Sequence, residues 1–104
     1  MIRKAFLMSV QPEAVATYRQ RHDALWPEMR DLLKDHGVHN YSIFLDRSRG
    51  LLFGYVEIDT LERWSAIAQT PACQRWWAFM SDIMPSNPDN SPISQDLEEV
   101  FHLA

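Results

Sequence analysis

Tyr18 and His22 stand four residues apart and are followed by Trp26-Pro27-Glu28. On a helix that interval brings a phenol and an imidazole to one face, with Cβ atoms about 5–6 Å apart. The same face carries Val15, Leu25, Met29, Leu32 and Leu33, so the pair is directed to the interior and away from water. An imidazole with an ordinary pKa of about 6.5 gives or accepts a proton near neutrality. Enclosed beside a phenol, it is a candidate acid–base site for a small molecule. A core histidine bonded to a local partner satisfies the same spacing, so the surrounding elements must decide between the two.

Those elements read as follows. Ile2 to Val10 is a strand-length run ended by Gln11-Pro12. From Pro12 to about His36 the apolar positions follow a helical period, and Gly37 closes the segment. Pro27 interrupts it: with no N–H to give the carbonyl of Asp23, and a ring that crowds it, the helix must kink or restart, leaving residues 23 to 26 irregular. The fault falls directly after His22 and makes room beside it, although a long helix bending round a small core would look the same.

Val38 to Leu45 and Leu51 to Ile58 are two strands joined by the polar turn Asp46-Arg47-Ser48-Arg49-Gly50. Thr60 offers an N-cap to a second helical stretch, and Thr70-Pro71 restarts it through Cys73, Trp76, Trp77, Met80 and Met84. The segment from Pro85 to Pro92 is an ordered loop or a flexible arm. Glu98 to Leu103 is expected to supply the last strand.

Strand, helix, strand, strand, helix, strand predicts an α+β fold: the ferredoxin-like βαββαβ arrangement, a four-stranded antiparallel sheet with two helices on one face. The strands are apolar on both sides, Phe6 and Met8 opposing Ala5 and Leu7, and Leu52 and Val56 opposing Phe53 and Tyr55. Helices cover one face only, so the other predicts a homodimer packed sheet to sheet.

On the second strand His39, Tyr41, Ile43 and Leu45 are expected to share a face. If it looks toward the helices, Tyr41 approaches Tyr18 and His22 while Trp76 and Trp77 close the side. Two phenols, an imidazole and two indoles without a charge clamp suit a neutral polyol: aromatic faces cover C–H surface, and phenol and indole hydrogens bond hydroxyls. Each aromatic alone is a core filler more often than a ligand contact. Cys73, at helical spacing with the indoles, reads as a small buried hydrophobe.

Composition excludes much else. A chain of 104 residues, 46% hydrophobic, reads as a single domain over 1–104. Its formal charge of -4, with no basic run, argues against nucleic acid. No stretch of about 20 apolar residues could span a bilayer, and the N-terminus lacks the apolar centre of a secretory signal, so no membrane partner and a cytoplasmic location are expected. Cys73 is alone, and the histidines at 22, 36, 39 and 102 share no ligand spacing, so neither a disulfide nor a metal is expected.

Several local motifs come together. His22 with Trp26-Pro27-Glu28, Asn40-Tyr41, Cys73-Gln74-Arg75-Trp76-Trp77, and Met84-Pro85 leading into Asn87-Pro88-Asp89-Asn90-Ser91-Pro92 resemble the L-rhamnose mutarotases, from end to end. The resemblance implies a dimeric α+β barrel, no cofactor, and interconversion of the α and β anomers of L-rhamnose. It also implies His22 as proton donor, with Tyr18, Tyr41, Trp76 and Trp77 contacting the sugar. Opening a pyranose needs a proton delivered to the ring oxygen and one taken from the anomeric hydroxyl; protonated His22 is expected to supply the first, and Tyr18 or a bound water to accept the second. Two other activities are carried by the same fold. One is cofactor-free oxygenation of polycyclic aromatics. The other is binding of small effectors by modules usually joined to a DNA-binding domain, which is not read in this sequence.

Overall fold

Ile2–Ser9 forms strand β1, at the centre of a sheet in the computed structural model, which describes residues 1–104. The chain then passes through a short 3-10 turn, Pro12–Ala14, into helix α1, Val15–Asp23. Pro27 acts as expected from its chemistry: it opens a separate helix α2, Pro27–Asp35, after an extended Trp26. The break between the two helices covers residues 24 to 26, immediately beyond His22. Gly37, at φ 75, ends this arm in a left-handed conformation that a side chain would disfavour.

Strands β2, Val38–Asp46, and β3, Leu51–Ile58, form the hairpin. Helix α3, Leu61–Ile67, starts where Thr60 accepts the Arg63 N–H at 3.2 Å, and helix α4, Pro71–Met80, where Thr70 accepts the Cys73 N–H at 3.3 Å. The sheet order is β2-β3-β1-β4 with every neighbour antiparallel, the ferredoxin-like order. Phe6, Met8, Leu52, Val56 and Ile58 face the helices and build one core with Tyr18, Met29, Cys73, Trp76 and Met80.

Two expectations need correction. The last strand, β4, is Gln95–Leu97, paired with Leu7 to Ala5, and not Glu98 to Leu103. Beyond Leu97 the chain keeps only side-chain ties to β1, such as Glu99 to Arg3 at 2.8 Å, and Val100, Phe101 and Leu103 stay exposed. Their apolar character looked like strand content, but nothing in this chain takes up their surface.

The second correction concerns β2. Its pairing shifts between His39 and Ser42, so Asn40 and Tyr41 together oppose the single residue between Tyr55 and Glu57. Asn40 absorbs the bulge at φ 46. The extra residue reverses the alternation: Val38 and Tyr41 share the inner face, while His39 is turned outward and meets Asp59 at 3.1 Å. A strict period of two cannot anticipate this.

The outer face carries Leu7, Phe53 and Phe44 in one row across three strands, with Phe44 exposed. On the inner face Phe6 lies across Gly54, where an added Cβ would come within 2.5 Å of the ring. Gly54→Ala is therefore expected to destabilise the fold by about 1–3 kcal/mol through overpacking. A urea unfolding midpoint unchanged from the parent protein would contradict this.

Candidate active site

The break at residues 24 to 26 leaves the last turn of α1 against α4, and the aromatic groups converge there. His22 stacks on Tyr18 with ring centroids 4.3 Å apart and 24° between planes. The Trp76 ring lies nearly perpendicular to it, with centroids 5.4 Å apart. Trp26, which begins the restart, packs edge-on against Trp76 at 5.0 Å, and Phe79 backs both indoles. Tyr18 and Trp76 are buried and His22 is half-buried, so the imidazole packs against two enclosed rings while part of it stays accessible.

The hydrogen bond of the imidazole defines its chemistry. Nδ1 lies 3.0 Å from the Tyr18 carbonyl oxygen, an acceptor only, so Nδ1 carries the hydrogen and Nε2 is the nitrogen left for a ligand. Burial lowers the His22 pKa, and the bond to Tyr18 and the charge of Asp23 offset this only in part. Neutral imidazole is thus the prevailing form at neutral pH, and its conjugate acid is stronger than an ordinary imidazolium. For Tyr18 burial acts the other way: it pushes the phenol well above its ordinary range, so the hydroxyl keeps its proton. Tyr18 is a hydrogen-bond donor and a poor base.

Tyr41 reaches the site from the sheet. Its ring meets Phe6 at 6.1 Å and Trp64 at 6.0 Å. As a residue it is 36% exposed, because its backbone sits at the bulge on an edge strand, yet its hydroxyl is desolvated and strongly raised in pKa, with Tyr18 and Cys73 near enough to add to the shift. Cys73 is buried, as its helical spacing with the indoles predicts, and burial pushes its thiol up to about 11.

All five candidates, Tyr18, His22, Tyr41, Trp76 and Trp77, line one cleft of about 1010 Å³ between helices and sheet. Tyr18, His22 and Trp76 are in mutual contact through His22. Tyr41 belongs to a second ring group, and Trp77, half-buried, lines the cleft from the adjacent position on α4 without joining either group. The volume is at the upper end of small-molecule sites, so one monosaccharide fills only part of it.

Other lining residues escaped the sequence reading. Trp64 lines the cleft behind Tyr41, and Trp26, outside the lining, braces Trp76; both are visible in the sequence as helical aromatics but not as partners. The cleft is also more charged than expected, with Arg19 and Arg47 among its exposed lining and Lys4 paired to Asp96 at 3.1 Å. The Pro85–Pro92 segment is ordered: Asn87 N–H donates to the Ser91 carbonyl at 2.8 Å, Ile93 N–H to the Pro85 carbonyl at 3.1 Å, and Asn90 takes φ 71. It brings Asn87, Ser91 and Pro92 to the cleft.

Comparison with known proteins supplies the family. Residues 3–103 match the family model described as L-rhamnose mutarotase. The chain belongs to the L-rhamnose mutarotase family. An L-rhamnose mutarotase from Tolumonas auensis is 64% identical over 104 residues, covering 100% of both chains. The crystal structure of an L-rhamnose mutarotase from Formosa agariphila is 43% identical, covers 100% of both chains, and superposes with a TM-score of 0.92. An antibiotic biosynthesis monooxygenase, 15% identical with a TM-score of 0.56 over 96% of this chain and 99% of its own, shares the fold alone. The family and fold expected from the sequence motifs are thereby borne out.

Proposed function

We propose that the chain is an L-rhamnose mutarotase that opens and recloses the sugar ring with His22 as its acid. The observation that carries this is the half-buried imidazole that lines the cleft, stacked on Tyr18 and perpendicular to Trp76, with Nδ1 committed to the Tyr18 carbonyl and Nε2 left without a protein partner. In the forward step the Nε2 proton of the imidazolium passes to the ring oxygen as the bond from that oxygen to the anomeric carbon breaks. Water takes the proton of the anomeric hydroxyl, whose oxygen becomes the carbonyl of the open aldehyde. Rotation about the bond to C2 and the reverse transfers complete the exchange. Water suits the second role because the anomeric hydroxyl lies on different sides in the two anomers, whereas the ring oxygen stays in place for one fixed acid. Tyr18, which holds its proton, bonds a sugar hydroxyl together with Tyr41, and Trp76 and Trp77 cover its apolar surface.

Exchange spectroscopy by NMR on equilibrated L-rhamnose tests the reading, since catalytic amounts of protein should speed α to β interchange. No acceleration would end it. An oxygenase is a poorer fit, its support being fold likeness alone, and a polycyclic phenol incubated with the protein under oxygen is expected to remain unconsumed.

The acid role also sets a pH profile. Only protonated His22 donates, and its pKa lies below the ordinary 6.5, so catalysed exchange should rise as pH falls from 7 and level off below that depressed pKa. A rate that climbs with pH across the same window would make His22 a base instead. The row of Leu7, Phe53 and Phe44, with the exposed Phe101 and Leu103, supports a homodimer joined through the open sheet face. Light scattering across a concentration series should give twice the chain mass; a monomer throughout would remove the proposal. A cytoplasmic location accords with a structure in which no helix is long and apolar enough to cross a membrane.

A further inference from the structure

We propose that Arg21 is a positioning residue for His22: its guanidinium, forked onto Asp82 and the end of α4, sets how the last turn of α1 meets Trp76. The Nη1 and Nη2 atoms donate to Asp82 Oδ1 at 2.8 Å and Oδ2 at 3.2 Å. Nη1 also donates to the Phe79 carbonyl at 2.7 Å, and the guanidinium carbon lies 4.2 Å from the Phe79 ring centroid. The Arg21 side chain is only 17% exposed, against 63% for Asp82, so the arginine is the enclosed member of the pair.

The arrangement has the geometry of an anchor. Phe79 is in the last turn of α4, where carbonyls lack intrahelical partners and a cation is favoured by the helix dipole. Planar guanidinium satisfies a carboxylate, a carbonyl and an aromatic face at once, which an ammonium cannot. α1 ends at Asp23 and the chain turns away through residues 24 to 26, so regular structure does not hold this end from beyond.

Consecutive residues of α1 therefore grip the same helix at two points. Arg21 holds Phe79 and Asp82, and His22 meets Trp76 about one turn earlier. Successive side chains diverge by about 100° around a helix. Two grips at that angle define the roll of α1 as well as its distance, and roll determines where Nε2 points. Arg21 acts through position and not through its field, because its charge is paired with Asp82 and it is not among the groups that shift the imidazole. The titrating neighbours of the imidazole are Tyr18 and Asp23, both on α1, while α4 presents Trp76, which does not titrate.

This inference rests on the proposed acid role of His22, and its test separates the two. Arg21→Ala, Arg21→Lys and Asp82→Asn are compared with the parent protein by NMR titration of the His22 ring protons and by rhamnose anomer exchange. In Arg21→Ala and Asp82→Asn the His22 midpoint should rise toward the ordinary histidine value as the ring leaves its enclosure. Exchange should lose about 100-fold in kcat, the scale of a misplacement near 1 Å, with KM changed less than about threefold. Arg21→Lys keeps the charge without the fork and should fall between. Should Arg21→Ala fail to fold, Asp82→Asn and Arg21→Lys decide. His22 midpoints and kcat that stay within about twofold of the parent in the folded variants would overturn the inference. If the parent protein does not exchange rhamnose anomers, the acid role falls, and the His22 titration still reports whether Arg21 positions the ring.

Discussion

His22→Ala is expected to abolish most of the catalysed anomer exchange, by about 10²–10⁴-fold in kcat, the range for one positioned proton donor. The substitution removes a half-buried ring whose single hydrogen bond is to the backbone of its own helix. No buried partner is stranded by its loss, because the Tyr18 carbonyl keeps its place in α1. The unfolding midpoint should therefore move little. Rhamnose affinity, measured by titration calorimetry, should also be largely kept, since Tyr18, Tyr41, Trp76 and Trp77 remain. Loss of kcat with retained binding is the signature of a group that acts mainly in the transition state. Exchange at the parental rate in a folded His22→Ala protein would refute the assignment outright.

Trp76→Ala should be the most damaging change to both stability and binding. Trp76 is 7% exposed and touches His22, Trp26 and Phe79 through its ring. Truncating it leaves a void between α1 and α4 at a cost of about 3–5 kcal/mol. It also frees the imidazole on one side and removes a surface for the sugar, so KM should rise along with the loss of kcat. Trp76→Phe separates the effects: a smaller ring keeps most of the wall but lacks the indole N–H. Its unfolding midpoint should lie between those of the parent and the alanine variant. Equal stability in Trp76→Ala and the parent would show that the indole does not brace α1 against α4.

The two residues also illustrate what a chain of this length reveals before it is folded. His22 was legible because a period of 3.6 puts it on one helical face with Tyr18, while the stacking of the rings at 4.3 Å also depends on the rotamers that packing selects. Pro27 was equally legible, since a missing N–H must end a helix wherever it falls, and α2 begins on it. The caps at Thr60 and Thr70 follow from the same short-range chemistry. Trp76 was legible as an inward-facing residue, but its apposition to His22 was only one of several ways to dock α4.

Long-range effects were less accessible. The bulge at Asn40 changes the face of every residue before it in β2, and no local propensity distinguishes it from regular strand. His39 was accordingly placed with Tyr41 and lies on the opposite side. The last strand was sought where apolar residues are densest, whereas pairing with the free edge of β1 begins at Gln95, among polar residues. Backbone hydrogen bonds, not side-chain hydropathy, determine that edge.

The amino-acid order alone determined the elements before the last strand, the proline break beside His22, and the family, because each depends on residues near in sequence or on motifs carried intact along the chain. Only the tertiary structure decided that Nδ1 is committed to the Tyr18 carbonyl, that burial keeps His22 neutral and Tyr18 protonated, and that Arg21 grips the far end of α4. The reason is physical: desolvation and contacts between residues some sixty positions apart, as for Arg21 and Asp82, exist only once the chain has closed on itself.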